Sequence, residues 1–407
     1  MASVSIVEDA GGAASLHINN RQQEGSTGTL FADARQALLP ILLHAHPRRA
    51  LFLGLGTGVT SSAAAGDSAL TVDAVELLPE VIEASPYFTR LMHEGATDSR
   101  VHLMAADARR FVRASTERYD VIVADNFHPA RSGSGALYTV EHFNAVRSRL
   151  TADGVFCQWL PLHQLDLATL RSIVRSFLAA FPRGWSILAT NSLDTPVLGL
   201  VGRADDQRFD FGALQARLAG ATVATLAANF DITDELALLG SFVAGPESLA
   251  HFAGDAPLNT DDRPVVAYRA PRITYAPDSQ PRDRLIALLN ELQIEPDELF
   301  SSGAGDEAGS SRLVAYWLAR NRFIQAGRDV RPAADVRSML SQVEAPLLEV
   351  LHLSPDFRPA YDPLLGMADA LGHIDAPAAR DLLSALAQAA PSRPEAAQML
   401  RDLPAGP

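Results

Sequence analysis

The densest chemistry in the sequence is the run Leu53-Gly-Leu-Gly-Thr-Gly58. Glycines at alternate positions (Gly54, Gly56 and Gly58) let a backbone turn tightly and come close to a ligand, because no Cβ stands in the way. The run follows the short apolar stretch Ala50-Leu-Phe-Leu53 and opens a small-residue stretch, Ser61–Ala65, of helical character. Glu76 comes 22 residues after Gly54, in Val75-Glu-Leu77. A carboxylate at that place suits the two hydroxyls of a ribose. Strand, glycine turn, helix, strand and acid in this order point to an adenosine-containing ligand. A turn that only packs a helix against a sheet is the plainer alternative.

Two further aspartates end later apolar runs. Asp107, in Ala105-Ala-Asp-Ala-Arg109, is placed to accept a hydrogen bond from an adenine amino group; its plainer reading is a helix N-cap. Asp125, in Val123-Ala-Asp-Asn-Phe-His-Pro129, falls where open α/β sheets bind ligands, outside the carboxyl ends of their strands. It is the candidate for catalysis or cation binding, against a turn-forming aspartate. His128, three residues on, is a candidate base or substrate-orienting group, or simply an exposed loop histidine. Tyr138 and Phe143, in Leu137-Tyr-Thr-Val-Glu-His-Phe143, are candidate pocket walls that equally suit a core. His44 and His46 precede Pro47 and read as structural. No His/Asp/Glu cluster has metal-ligand spacing, so no metal is expected. The sequence lacks a Gly-x-Ser-x-Gly elbow, which speaks against a serine hydrolase. The single cysteine, Cys157, excludes an internal disulfide and a cysteine metal site, and its apolar neighbours place it in the core.

These residues need a sheet to bring them together, and the sequence supplies one. Ala50–Leu53, Ala69–Val75, Val101–Met104, Tyr119–Ala124 and Val155–Trp159 read as strands, with Ser186–Ala189 and Val197–Val201 as closing strands. Between Gln164 and Phe181, apolar residues from Leu167 to Phe181 recur at helical spacing. Strands alternating with helices imply a parallel, doubly wound sheet over residues 49–200, with Gly54, Glu76, Asp107 and Asp125 converging at one edge. Residues 1–48 read as a hairpin around Gly11-Gly12 followed by a helix from about Ala32 to Leu43. Three domains are expected: this N-terminal piece (1–48), a nucleoside-binding Rossmann-like domain (49–270), and a linker with a helical, tetratricopeptide-like region (271–407). The linker is read from the prolines of residues 271–284.

Composition sets outer bounds. The chain has 407 residues, 47% of them apolar and 20% charged, as in an ordinary globular protein. The formal net charge of −14 argues against a nucleic-acid surface, which wants a basic stripe. No apolar run reaches the roughly 18–20 residues of a membrane helix, and the N-terminus lacks the pattern of a signal peptide. A cytoplasmic protein without a membrane segment in this chain is expected.

The ordered motifs resemble the spermidine synthase (polyamine synthase, aminopropyltransferase) family. They are Pro47-Arg-Arg-Ala-Leu-Phe-Leu-Gly-Leu-Gly-Thr-Gly58, Val75-Glu76, Ala106-Asp107-Ala108, Tyr119-Asp-Val-Ile-Val-Ala-Asp125 and Leu137-Tyr-x-x-Glu-His-Phe143, within residues 15–270. Asp125-Asn-Phe-His-Pro-Ala-Arg131 and Leu258-Asn-Thr-Asp-Asp-Arg-Pro264 are similar to the bacterial spermidine synthase-like domains often joined to membrane segments. The resemblance implies a class I S-adenosylmethionine-dependent Rossmann-like fold. It implies that Glu76 holds the ribose, Asp107 the adenine, Gln22 the nucleoside, and that Asp125 helps deprotonate an attacking amine. The ligand is then S-adenosylmethionine or its decarboxylated form, as substrate, and methylthioadenosine is released. The partners it implies are that nucleoside and an amine, with a homodimer allowed.

Three positions depart from the family pattern. Thr57 stands where its glycine-rich loop carries an acid that pairs with the aminopropyl ammonium. His128 replaces the second acid of its Asp-x-x-Asp-Pro segment, and Ala32 falls at the tyrosine of its Tyr-His/Gln-Glu motif. The departures leave open a lyase that cleaves intact S-adenosylmethionine to methylthioadenosine and homoserine lactone, a small-amine methyltransferase, and a non-catalytic nucleoside-binding scaffold.

Overall fold

Five strands carry the parallel half of the central sheet, and each is a run that alternation or continuous apolarity marks in the sequence. They are β4 (Arg49–Leu53), β5 (Thr71–Glu76), β6 (Val101–Ala105), β7 (Tyr119–Ala124) and β8 (Leu150–Pro161). The computed structural model describes residues 3–19, 22–92, 99–300 and 307–403, with the side chains of Gln22 and Leu91 outside that description. Three antiparallel strands, β9 (Gly184–Leu188), β10 (Val197–Arg203) and β11 (Phe242–Ala244), complete an eight-stranded sheet of order β11-β9-β10-β8-β7-β4-β5-β6. β4 pairs in parallel with β5 on one side and β7 on the other, so the chain reverses its direction of winding there. That is the crevice in which such sheets bind ligands.

Helices cover both faces, and alternation along β8 decides which. Phe156 packs its ring near Phe143 and Phe177, on helices Val140–Arg147 and Leu167–Ala180. Trp159 points the other way, towards helix α1 (Leu30–Leu42). α1 contains Pro40, which lacks the N–H that would bond the carbonyl of Gln36 four residues back. The Trp159 indole N–H donates to that carbonyl at 2.8 Å instead, so the defect in the helix becomes its attachment to the sheet. Arg35 adds a second anchor, donating to the carbonyls of Ala189 and Phe230, each at 2.6 Å.

Before α1, β1 (Val4–Glu8), β2 (Ala14–Ile18) and β3 (Gln22–Ser26) form a separate antiparallel sheet. The first two are the hairpin that the sequence marks. β3, Gln-Gln-Glu-Gly-Ser, has no strand-like composition and exists through its pairing with β2.

The chain divides into two compact units, Met1–Ala304 and Gly305–Pro407. The expected boundary near residue 270 therefore differs from the observed one. Most of the segment read as a linker is helical: Val265–Tyr275 contains Pro271, and Pro281 opens helix Pro281–Glu291. Proline in the first turn of a helix loses no hydrogen bond, which is why a proline-rich stretch is compatible with a helix start. The second unit holds five helices among its described residues, from Glu307–Gly327 to Pro394–Asp402. Leu347, Val350, Leu364, Leu371, Leu382 and Leu386 are buried there. Among the described residues no helix is long and apolar enough to cross a membrane.

Candidate active site

The glycine turn joins β4 to helix α2 (Val59–Ala65), and all three of its glycines have positive φ: +96° at Gly54, +50° at Gly56 and +78° at Gly58. Side chains rarely tolerate that region, and at Gly54 and Gly58 space is short as well. A Cβ on Gly54 would lie 2.9 Å from Asp125 Cβ. One on Gly56 would lie 3.6 Å from Asp125 Oδ2 and 3.2 Å from the Glu24 carbonyl oxygen. The Gly54 N–H donates to the Val75 carbonyl at 2.9 Å, and the Asp125 N–H to the Leu53 carbonyl at 3.0 Å. The ends of β5, β4 and β7 are thereby laced together, which brings Glu76 and Asp125 to the turn.

Glu76 accepts the Leu55 N–H at 3.2 Å with one oxygen and the Leu78 N–H at 2.9 Å with the other. Its carboxylate thus shapes the turn and keeps lone pairs for a ligand. Asp107 caps helix Ala108–Ala114 by accepting the Arg110 N–H at 2.9 Å. Among the described residues its second oxygen has no hydrogen-bond partner, so the cap does not conflict with a ligand role. The backbone of Gln22 lies in β3, opposite Ile18; its side chain is outside the described residues.

Asp125 accepts the N–H of Asn126 at 2.8 Å with Oδ1. Burial pushes its carboxyl up to about 6; the backbone bond opposes this, and Glu24 and Glu76 add to it. His128 lies beside this acid without bonding to it. Its Nδ1 is 2.8 Å from Gln164 Oε1 and its Nε2 is 3.2 Å from the Gln23 carbonyl. Both nitrogens face acceptors; a neutral ring donates to one of them and an imidazolium to both. Gln164 extends the chain to His163, Nε2 to Nε2 at 3.0 Å. His128 is therefore held in place from two sides, an arrangement of an orienting group more than of a free base.

Tyr138 does not wall the pocket. It is fully buried, and its hydroxyl donates to the Phe127 carbonyl at 2.6 Å, bracing the loop that carries Asp125 from behind. Burial drives its phenol well above the ordinary range. Phe143 is likewise core.

Two acids that sequence reasoning passed over stand in the same cleft. Glu24, in β3, faces Arg131 Nη1 at 3.1 Å and His128 Nε2 at 4.0 Å; burial raises its carboxyl, and His128 and Arg131 oppose the rise. Asp33, in the first turn of α1, accepts the Thr29 hydroxyl at 2.9 Å. Burial, reinforced by the charge of Asp125, pushes it up to about 7. Thr57 is buried against β3, where a Cβ on Gly25 would meet its Cγ2 at 2.7 Å. The one available signal for Glu24 and Asp33 was their nearness in sequence to the strand pair and helix that precede the turn.

Comparison with known proteins adds the following. Residues 37–189 match the family profile described as "Spermine/spermidine synthase domain". A polyamine aminopropyltransferase of Thermotoga maritima is 28% identical over 165 residues, covering 37% of this chain and 56% of that protein. One of Methanocaldococcus jannaschii is 33% identical over 132 residues, covering 32% and 45% respectively. The chain thus spans about half the length of the curated relatives it matches. Among solved structures, spermidine synthase in complex with the transition-state analogue AdoDATO aligns at a TM-score of 0.52 and 20% identity, over 62% of this chain and 85% of that one. The Thermotoga maritima spermidine synthase aligns at 0.50 and 20% over the same shares. The central sheet and its helices therefore have the spermidine synthase fold.

Proposed function

We propose that this chain, whose residues 37–189 carry a spermine/spermidine synthase domain, is a transferase that moves an aminopropyl-type group from a sulfonium nucleoside to an amine and releases methylthioadenosine. The nucleoside is S-adenosylmethionine or its decarboxylated form. One observation carries the reading: an aspartate, Asp125, packed against the glycine turn with its carboxyl raised to about 6. Such a group is ionised at neutral pH and a better proton acceptor than an exposed aspartate.

On this reading Gly54, Gly56, Thr57 and Gly58 lay the nucleoside on the turn, Glu76 receives the ribose hydroxyls, Asp107 the adenine amino group, and Gln22 flanks the nucleoside. Asp125 takes a proton from the attacking ammonium. The nitrogen lone pair then forms a bond to the chain carbon next to sulfur. The carbon–sulfur bond breaks, and its electron pair neutralises the sulfonium, leaving methylthioadenosine. His128, held by Gln164 and Gln23, orients the amine, and Tyr138 supports the loop. Holding nucleophile and carbon in line supplies much of the acceleration. The names of the relatives favour transfer, and nothing in the cleft favours self-cleavage of the intact nucleoside.

The test is incubation with either nucleoside, with and without diamines, and products identified by mass. Methylthioadenosine together with an alkylated amine is expected. In Asp125→Asn turnover falls at least ~10²-fold, the loss of a general base. S-adenosylhomocysteine as the sole nucleoside product would overturn the reading, and full activity of Asp125→Asn would move the base elsewhere.

A further inference from the structure

The cleft has two ends of opposite character. At one, Asp125 accepts a backbone N–H from Asn126, and among the described residues it forms no salt bridge. At the other, Arg131 and His128 stand against one acid, Glu24. Arg131 Nη1 donates to Glu24 Oε1 at 3.1 Å, and His128 Nε2 lies 4.0 Å from the same oxygen. The charge of Glu24 is therefore matched before any ligand arrives. Both nitrogens of His128 face acceptors, Gln164 Oε1 at 2.8 Å and the Gln23 carbonyl at 3.2 Å, so only the imidazolium bonds to both. The two ends adjoin. A Cβ on Gly56 would lie 3.2 Å from the Glu24 carbonyl oxygen and 3.6 Å from Asp125 Oδ2, which sets β3 beside that carboxylate.

A second observation concerns Arg131 itself. Its side chain gives one hydrogen bond, to Glu24, and among the described residues its Nε and Nη2 have no acceptor. The side chain is 31% exposed, so these donors are open to a ligand. A guanidinium carries its donors in a planar fork that matches a carboxylate in shape and in charge. A diamine fits the two ends badly. One ammonium meets Asp125, but the other comes up against Arg131 and His128, where the only acid is already paired. A desolvated ammonium without a carboxylate of its own is costly. A carboxylate in the same place meets open N–H donors instead.

We propose that the acceptor is an amine of the amino acid type, with an ammonium at one end and a carboxylate at the other, and that Arg131, assisted by His128, receives the carboxylate. The inference rests on the transferase reading and names its second substrate. The amine loses a proton to Asp125, its lone pair bonds to the chain carbon next to sulfur, and the electron pair of the broken carbon–sulfur bond stays on sulfur. The carboxylate takes no part in these bond changes. Glu24 positions the guanidinium and tempers its charge.

The test is acceptor-dependent release of methylthioadenosine by the full chain, with either sulfonium nucleoside and with matched acceptors: a diamine and the ω-amino acid of the same chain length. The wild type is expected to show a kcat/KM at least about tenfold higher for the amino acid. Arg131→Gln removes the positive charge and frees Glu24. The KM for the amino acid is expected to rise about tenfold to a hundredfold and that for the diamine to fall, while the KM for the nucleoside, which also reports that the variant is folded, stays the same. Glu24→Gln leaves the guanidinium without its acid and is expected to widen the preference for the amino acid by about threefold to tenfold. A salt bridge that only holds the fold together would give both variants the same direction of change, and that result overturns the inference. So does a wild type that uses the diamine as well as the amino acid or better, or a preference unchanged in Arg131→Gln; either leaves the transferase reading standing. A wild type that releases no methylthioadenosine with any amine removes the transferase reading and the inference together.

Discussion

Removing the charge of Asp33 should stabilise the ligand-free protein, and only above a certain pH. The carboxyl is pushed from its ordinary 3.8 up to about 7 by burial, with Asp125 adding to the rise. A raised folded-state value means that the folded chain holds the proton more tightly than the unfolded one. The stability this group contributes is complete below the unfolded value near 4 and is lost as pH rises to about 7. The full span corresponds to about 4 kcal/mol at pH 8, an upper bound, because relaxation and water entry soften a buried charge. Asn in its place still offers an oxygen to the Thr29 hydroxyl, so little is lost in exchange. Asp33→Asn should therefore be more stable than the wild type by about 2–4 kcal/mol at pH 8 and nearly equal to it at pH 4. Urea denaturation at the two pH values reads this directly. Tryptophan fluorescence follows the transition, with Trp159, whose indole is bonded to α1, as one of the chain's three reporters. A variant no more stable than the wild type at pH 8 would mean that the charge of Asp33 is already compensated in the free protein.

Glu76→Ala should weaken nucleoside binding by about 1–3 kcal/mol in calorimetry and also lower stability, since two backbone amides lose their acceptor; unchanged affinity in a folded variant would remove Glu76 from the site. Gln164→Leu releases one side of His128, so the KM for the amine should rise about threefold to tenfold with kcat affected less; equal changes in both, in steady-state kinetics, would argue against an orienting role. Gly54→Ala puts a side chain at φ +96° and 2.9 Å from Asp125 Cβ, and should cost more than about 2 kcal/mol in thermal or urea unfolding together with most activity. A fully active, equally stable Gly54→Ala would show that the turn and Asp125 do not need their close approach.

The parts of the site that the sequence makes visible are those whose position follows from a local pattern. An apolar strand, a glycine run and a small-residue helix place Gly54 through Gly58 without knowledge of the rest of the chain. The period of the strands then puts Glu76 and Asp125 at the same sheet edge. Asp33 and Glu24 have no such pattern. Asp33 sits in the first turn of a helix, where an acid is ordinary by the helix dipole alone. Which way it points depends on how α1 is fastened by Trp159 and Arg35, contacts that span most of the first unit. Glu24 lies in a strand that only its partner makes a strand. Tyr138 shows the opposite failure. Its place in a family-like motif was legible, but the motif does not say that the hydroxyl turns inward to the Phe127 carbonyl.

The partnering of the acids also gives the cleft a direction. Arg131 and His128 offset Glu24, and backbone amides hold Glu76, so the uncompensated charge is that of Asp33 and Asp125. On the transferase reading the nucleoside brings its positive sulfonium to these carboxylates. Transfer removes that charge: sulfur becomes a neutral thioether, and the short chain leaves on the amine. On the same reading methylthioadenosine keeps its contacts with Glu76 and Asp107 and loses its charge attraction to the acid pair. The same buried charges that draw the substrate in at a cost to the stability of the free protein thus have no hold on the nucleoside product. A site built for binding methylthioadenosine alone would have no use for them, and their nearness to one another in this cleft is the strongest physical reason to read it as catalytic.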